Sequence, residues 1–162
     1  MADKLDVRII TPERVVFSHS ADSVLIPGAA GEFEVLPGHV ALFSTVKPGQ
    51  IVVKEGAKQA HFATGAGIVE ICKDVVSLLL DSAVGNTEID PKEAERLIAE
   101  AEDRLKNLSS EDEEMRFAFE TQLATAKARI EVYERTGDSA DASSMFSQMN
   151  VEAVKKESSG DK

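Results

Sequence analysis

The stretch Gly31-Glu-Phe-Glu-Val-Leu-Pro-Gly-His39, running on through Leu42 and Phe43 to Lys47-Pro48-Gly49, decides the fold class. Glycines at 31, 38 and 49 and prolines at 37 and 48 bracket two short apolar runs. Glycine reaches backbone angles closed to other residues and proline presets a turn, so this spacing means tight reversals between strands rather than helix.

The flanks keep the same pattern. Upstream, Leu5-Asp-Val-Arg-Ile9 alternates apolar and polar residues until Thr11-Pro12 stops it, as a half-buried strand does. Arg14 to Phe17 and Ser23 to Ile26 follow as further strands, the latter ending in Pro27-Gly28. Downstream, Val40 to Val46, Gln50 to Lys54, Lys58 to Ala63, Ile68 to Ile71 and Val75 to Leu80 continue the series. Glu55-Gly56 and Lys73-Asp74 read as turns between them, the second closing a hairpin. Roughly eight to ten short strands joined by such turns imply a mostly antiparallel sandwich or barrel.

At Asp90 the period changes to that of a helix. Asp90 stands at the N-cap, Pro91 at the first helical position, and Glu93 where a capping box places its acid. Ala94, Leu97, Ile98, Ala101, Leu105 and Leu108 then form one apolar stripe. A second helix is expected from Ser110, with Glu113 as its capping acid. Met115, Phe119, Gln122, Leu123, Ala126, Ile130 and Tyr133 would line it, and Gly137 would cap its end. The short link, Asn107 to Ser110, makes the pair an antiparallel hairpin. Two Ala-rich helices bury little against each other, so the hairpin is expected to seek a further surface and to dock in more than one place.

The predicted class is therefore α+β: an antiparallel β-sandwich over 1–86, a helical hairpin over 87–137 and a disordered, Ser- and Asp-rich tail over 138–162. With 162 residues, 43% of them apolar, the chain can bury one real core. A net charge of −11 argues against a nucleic-acid partner, which needs clustered Lys and Arg. The single cysteine, Cys72, allows no internal disulfide and fits a reducing compartment. No run approaches the roughly eighteen apolar residues of a membrane span.

Catalytic signatures are missing. His19, His39 and His61 lie on different expected strands and turns, with no paired spacing that would gather a metal. Gly65-Ala-Gly67 is followed by Glu70 where a dinucleotide fingerprint needs its third glycine, so it reads as a strand break or bulge. Glu32 and Glu34 share one strand face but are expected to be solvated turn-edge acids. The Glu111 to Glu114 acids suit the positive end of a helix dipole. A binding or interaction protein, without cofactor or metal, is better supported than an enzyme.

Phe17-Ser18, Pro27-Gly28, Gly31 to His39, Lys47-Pro48-Gly49 and Gly65-Ala-Gly-Ile-Val-Glu70, in that order and followed by two helices, resemble the epsilon subunit of F-type ATP synthases. The resemblance covers residues 3 to about 136 and implies a sandwich of about ten strands. It implies a non-catalytic rotor subunit of the central stalk, on the cytoplasmic face of the plasma membrane and held there by its partners, not by insertion. Those partners would be the gamma subunit, the c-ring of the membrane sector and, with the helices extended, the alpha/beta catalytic head. By the same resemblance Glu32, Leu36, Pro37, Gly38 and His39 would face the c-ring. Arg116, Lys127, Arg129 and Arg135 would reach the head and restrain ATP hydrolysis; their ordinary reading is local pairing with Glu120, Glu131 and Glu134.

Three departures qualify the resemblance, one of them the tail beyond Gly137, which is longer than the family pattern requires. Some family members bind ATP through Ile/Leu-Asp-x-x-Arg-Ala, and this chain reads Ile89-Asp-Pro-Lys-Glu-Ala94, so Asp90 matches while Glu93 replaces the arginine. A carboxylate there repels phosphate, so no nucleotide site is expected, although Arg96 one turn on leaves a shifted contact open. An ATP-sensing regulatory subunit is thus the alternative. At Glu34 the family usually has glycine; a positive φ there would strain the residue.

Overall fold

The computed structural model describes residues 4–137, and the expected tail over 138–162 lies outside the described residues. Ten strands come first: β1 Leu5–Ile10, β2 Val15–Ala21, β3 Ser23–Gly28, β4 Gly31–Val35, β5 Leu42–Val46, β6 Gly49–Glu55, β7 Lys58–Thr64, β8 Gly67–Cys72, β9 Val75–Leu80 and β10 Ala83–Gly85. A 3-10 turn, Asn86–Glu88, then leads into helices α1 Pro91–Asn107 and α2 Glu113–Thr136. The α+β class is the one observed.

Hydrogen-bonded neighbours run β10-β7-β6-β3-β5-β8-β9-β1-β2, with β4 also paired to β3. Only Gly28 opposite Val46 joins β3 to β5, so this bridge marks the fold line between two layers. Inward-facing residues of both layers make one core, including Val7, Ile9, Ile26, Ile51, Phe62, Ile71 and Leu78. Phe17 of β2 meets the ring of Phe62 of β7 edge-on, 5.3 Å between centroids, tying one layer to the other.

Every chain-adjacent strand pair is antiparallel, as short turns require, but β1 and β9 pair in parallel. No turn joins those two strands, so nothing local fixes their direction. Lys73 and Asp74, both with positive φ, close the expected two-residue hairpin between β8 and β9. At Gly67 a Cβ would collide with the backbone of Leu79, so this glycine serves close strand packing, with no cradle for a dinucleotide. Strand limits shift by a residue or more at several strands, most at β2. β2 reaches Ala21 instead of stopping at Phe17, and β5 starts at Leu42 instead of Val40.

Asp90 caps α1 as expected, its carboxylate accepting from the backbone N–H of Lys92 at 3.0 Å and of Glu93 at 3.4 Å. The capping box is left half made, because the Glu93 carboxylate takes Arg96 instead, at 2.7 and 3.0 Å. The expected α2 start at Ser110 is corrected to Glu113, with Asp112 at the N-cap and no side-chain cap bond. Ser109 and Ser110 sit in the turn, where the Ser109 carbonyl accepts from Asp112 N–H. Gly137 ends α2 with positive φ, its N–H bonded to the Tyr133 carbonyl at 3.0 Å.

α2 has two working faces, and the expected stripe is one of them. Phe119 lies under the Arg104 guanidinium of α1 at 5.5 Å, and Ala126 is buried on the same side. Met115 and Tyr133, at the ends of that stripe, stay exposed. On the other face Val132 is fully buried against Ala63 of β7, Ile89 and Val84. The hairpin therefore docks on the outer face of the β6–β7 layer through a small apolar patch.

Candidate functional site

The β4–β5 connection forms one end of the sandwich. Glu32 lies exposed on β4, and Leu36, Pro37, Gly38 and His39 make the turn that follows. Its shape is over-determined. His39 N–H bonds back to the Leu36 carbonyl at 3.1 Å, Gly38 takes a φ of 85° that disfavours any side chain, and Gly38 N–H donates to Asp74 Oδ1 at 2.7 Å. The last bond ties this turn to the β8–β9 hairpin. His39 Nδ1 is 2.7 Å from the Val40 carbonyl, so the ring folds back on its own loop.

The turn and the start of β5 hold large apolar side chains in solvent: Leu36 is 54% exposed and Val40 75% in the connection, and Phe43 66% on β5. Large exposed apolar groups within eight residues of one another in sequence point to an interaction surface at this end. Sequence reasoning named Leu36 but missed Val40 and Phe43. The signal was there: Leu42 and Phe43 are adjacent, and adjacent strand residues point to opposite faces, so both cannot enter the core. Glu34 is unstrained on β4, with no positive φ, and its carboxylate is 3.5 Å from Lys54.

The four basic residues of α2 do not form one face. Arg116 and Lys127, about three turns apart, share a side. Arg129 lies on the opposite side and lines a cleft of about 620 Å³ between the helices and the sandwich, together with Arg96, Glu100, Arg104, Asp81 and Ser82. Arg135 reaches down to the sandwich, where its Nη1 donates to Gln50 Oε1 at 3.0 Å. No described ion pair joins these residues to Glu120, Glu131 or Glu134.

Charge in the cleft is largely matched. Arg96 bonds Glu93 and Glu100, and Arg104 bonds Glu100 at 2.7 Å. The Arg96 guanidinium holds the Glu93 carboxyl below its usual range. Asp90 spends its carboxylate on the helix cap. Arg129 differs, for its Nε is buried without a hydrogen-bond partner. Among the described residues no cluster of His, Cys, Asp or Glu could hold a metal ion, and no helix is long and apolar enough to cross a membrane.

A mostly antiparallel sandwich with a helical hairpin on one layer and exposed apolar residues at one end has the build of a small interaction subunit. Residues 4–86 match the family model of the ATP synthase delta/epsilon chain β-sandwich domain. Over 132 residues the chain is 38% identical to the ATP synthase epsilon chain of Geotalea uraniireducens, covering 82% of this chain and 95% of that one. It is 40% identical over 125 residues to the epsilon chain of Myxococcus xanthus, covering 76% and 88%. The chain belongs to the ATP synthase epsilon chain family. In fold it is similar to a chain of the Euglena gracilis mitochondrial ATP synthase structure of OSCP, F1 and c-ring, with a TM-score of 0.66 at 21% identity, covering 79% of this chain and 80% of that one. A chain of the Tetrahymena thermophila mitochondrial ATP synthase central stalk and c-ring gives a TM-score of 0.56 at 11% identity, covering 82% and 96%.

Proposed function

We propose that this chain is a non-catalytic rotor subunit of the central stalk, coupling rotation of the c-ring to ATP synthesis in the catalytic head. Its sandwich binds the gamma subunit and sets the Leu36 to His39 turn on the ring, with Glu32 at the margin. The chain is then peripheral, held through the complex at the cytoplasmic face of the plasma membrane. The observation that carries the reading is that Leu36 and Val40 stay in solvent in a connection that Asp74 pins at Gly38, with Phe43 exposed just beyond it on β5. Such a turn costs little to order on binding, because it is already fixed.

The helices supply restraint of ATP hydrolysis. Among the described residues, a small apolar patch around Val132 and a side-chain bond from Arg135 to Gln50 hold α2 to the sandwich, so the hairpin is suited to leave it for the head. Arg116 and Lys127 would meet the head together; Arg129 and Arg135 would become available only after undocking. The ATP-sensing alternative is weaker. Arg129 favours it, but Glu93, Glu100 and Asp81 offset the arginines that a triphosphate would need.

Phe43→Glu and Leu36→Asp test the docking end. Both are exposed, so the isolated variants are expected to melt like wild type while their incorporation into reconstituted enzyme with the ring falls at least tenfold, about 1.4 kcal/mol. Wild-type incorporation of both variants would overturn the reading.

A further inference from the structure

Gln50 of β6 and His61 of β7 are diagonal neighbours on the outer face of the layer that carries α2. Gln50 Nε2 stands 2.7 Å from His61 Nδ1, and Gln50 Oε1 accepts from Arg135 Nη1 at 3.0 Å. The chain of three has a fixed polarity. A guanidinium can only donate, so the Gln50 oxygen must face Arg135 and the Gln50 NH₂ must face His61. His61 Nδ1 is then an acceptor, and the ring is neutral with its proton on Nε2.

Protonation removes that solution. A charged imidazole donates from both nitrogens, setting an N–H against the Gln50 NH₂. Turning the amide over would satisfy His61 but place the NH₂ against the Arg135 guanidinium. All three groups are satisfied together only while His61 is neutral.

We propose that the Arg135–Gln50–His61 chain is a proton-operated latch: it holds the C-terminal end of α2 on the sandwich while His61 is neutral and releases that end when the imidazole takes up a proton. Burial acts in the same direction, pushing the His61 imidazole below its ordinary value of 6.5. On β6, Lys54 pairs with Glu34 of β4; after β10, Glu88 bonds Arg14; on α2, Glu131 stands exposed one turn before Arg135. Undocking returns His61 to solvent and to its ordinary value. The latch is therefore fully closed above pH 6.5 and weakens as pH falls from there toward the docked value. It is a property of the chain itself and does not depend on its place in the stalk.

The test follows amide exchange of the full chain at about pH 7.5 and about pH 5.5, corrected for intrinsic rates, which straddle the ordinary histidine titration. Amides of 128–136 are expected to lose protection several-fold relative to the strand core at the lower pH. In His61→Gln, whose oxygen accepts from Gln50 at either pH, the loss disappears. Unchanged wild-type protection, or an equal loss in His61→Gln, would overturn the latch. Should that variant not fold, nitrogen NMR of wild-type His61 decides: the Nε2–H tautomer with a titration below the ordinary value supports the latch, and an Nδ1–H tautomer or an ordinary titration refutes it.

Discussion

Val132→Ala weighs the docking of α2 on the sandwich. Val132 is fully buried, and its neighbours Ala63, Ile89 and Val84 all belong to the sandwich or to the link after it. The substitution removes two buried carbon groups at about 0.8 kcal/mol each, about 1.6 kcal/mol. A residual cavity raises the total to about 2 kcal/mol, because the β7 backbone cannot close the gap. That loss is roughly 30-fold in the local docking equilibrium, since about 1.4 kcal/mol is tenfold. Native-state hydrogen exchange reads it directly. Amides of α2 are expected to exchange roughly 30-fold faster, while core strand amides such as those of Val7, Val69 and Leu78 are unchanged, because helix and sandwich open as separate units. Equal acceleration of strands and helix would refute the reasoning, since the hairpin would then be part of one cooperative core.

Glu55 lies between Lys4 at 2.8 Å and His19 at 3.1 Å, and the bond to Lys4 holds its carboxyl below its ordinary 4.5. A depressed carboxyl stabilises the fold above its unfolded value and loses that contribution as pH falls through the folded one. Glu55→Gln should thus cost under about 1 kcal/mol near neutrality, with the difference from wild type vanishing in acid melts. For nucleotide, calorimetry on the isolated chain is expected to give a dissociation constant for ATP at or above the millimolar range, because Glu93 holds Arg96; micromolar binding contradicts this.

Most strands were legible because one face of each is buried and the other wet, which imposes the period of two seen in Leu5 to Ile9. Turns were legible where backbone geometry demands a residue type, as at Gly38. The α1 start was equally plain, since Asp90-Pro91 satisfies orphan donors locally. What escaped was set at long range. The parallel β1–β9 pair, the Gly38 to Asp74 bond and the Arg135–Gln50–His61 chain each join segments far apart in sequence. Val132 escaped for a related reason. It falls off the stripe facing α1, and only the sandwich beneath it explains a second apolar face. Val40 and Phe43 read only as positions of a strand over Val40 to Val46, with no face assigned to them.

The central claim is that the sandwich couples while the helices restrain, and ATP hydrolysis by assembled enzyme tests it most directly. The chain should be truncated after Glu88, which keeps β10 on β7 and the buried Asn86 of the 3-10 turn in place. Enzyme carrying the truncated chain is expected to hydrolyse ATP several-fold faster than enzyme carrying the full chain, with proton pumping retained. Equal hydrolysis rates would contradict the restraint, and lost pumping would contradict the division of labour between sandwich and helices.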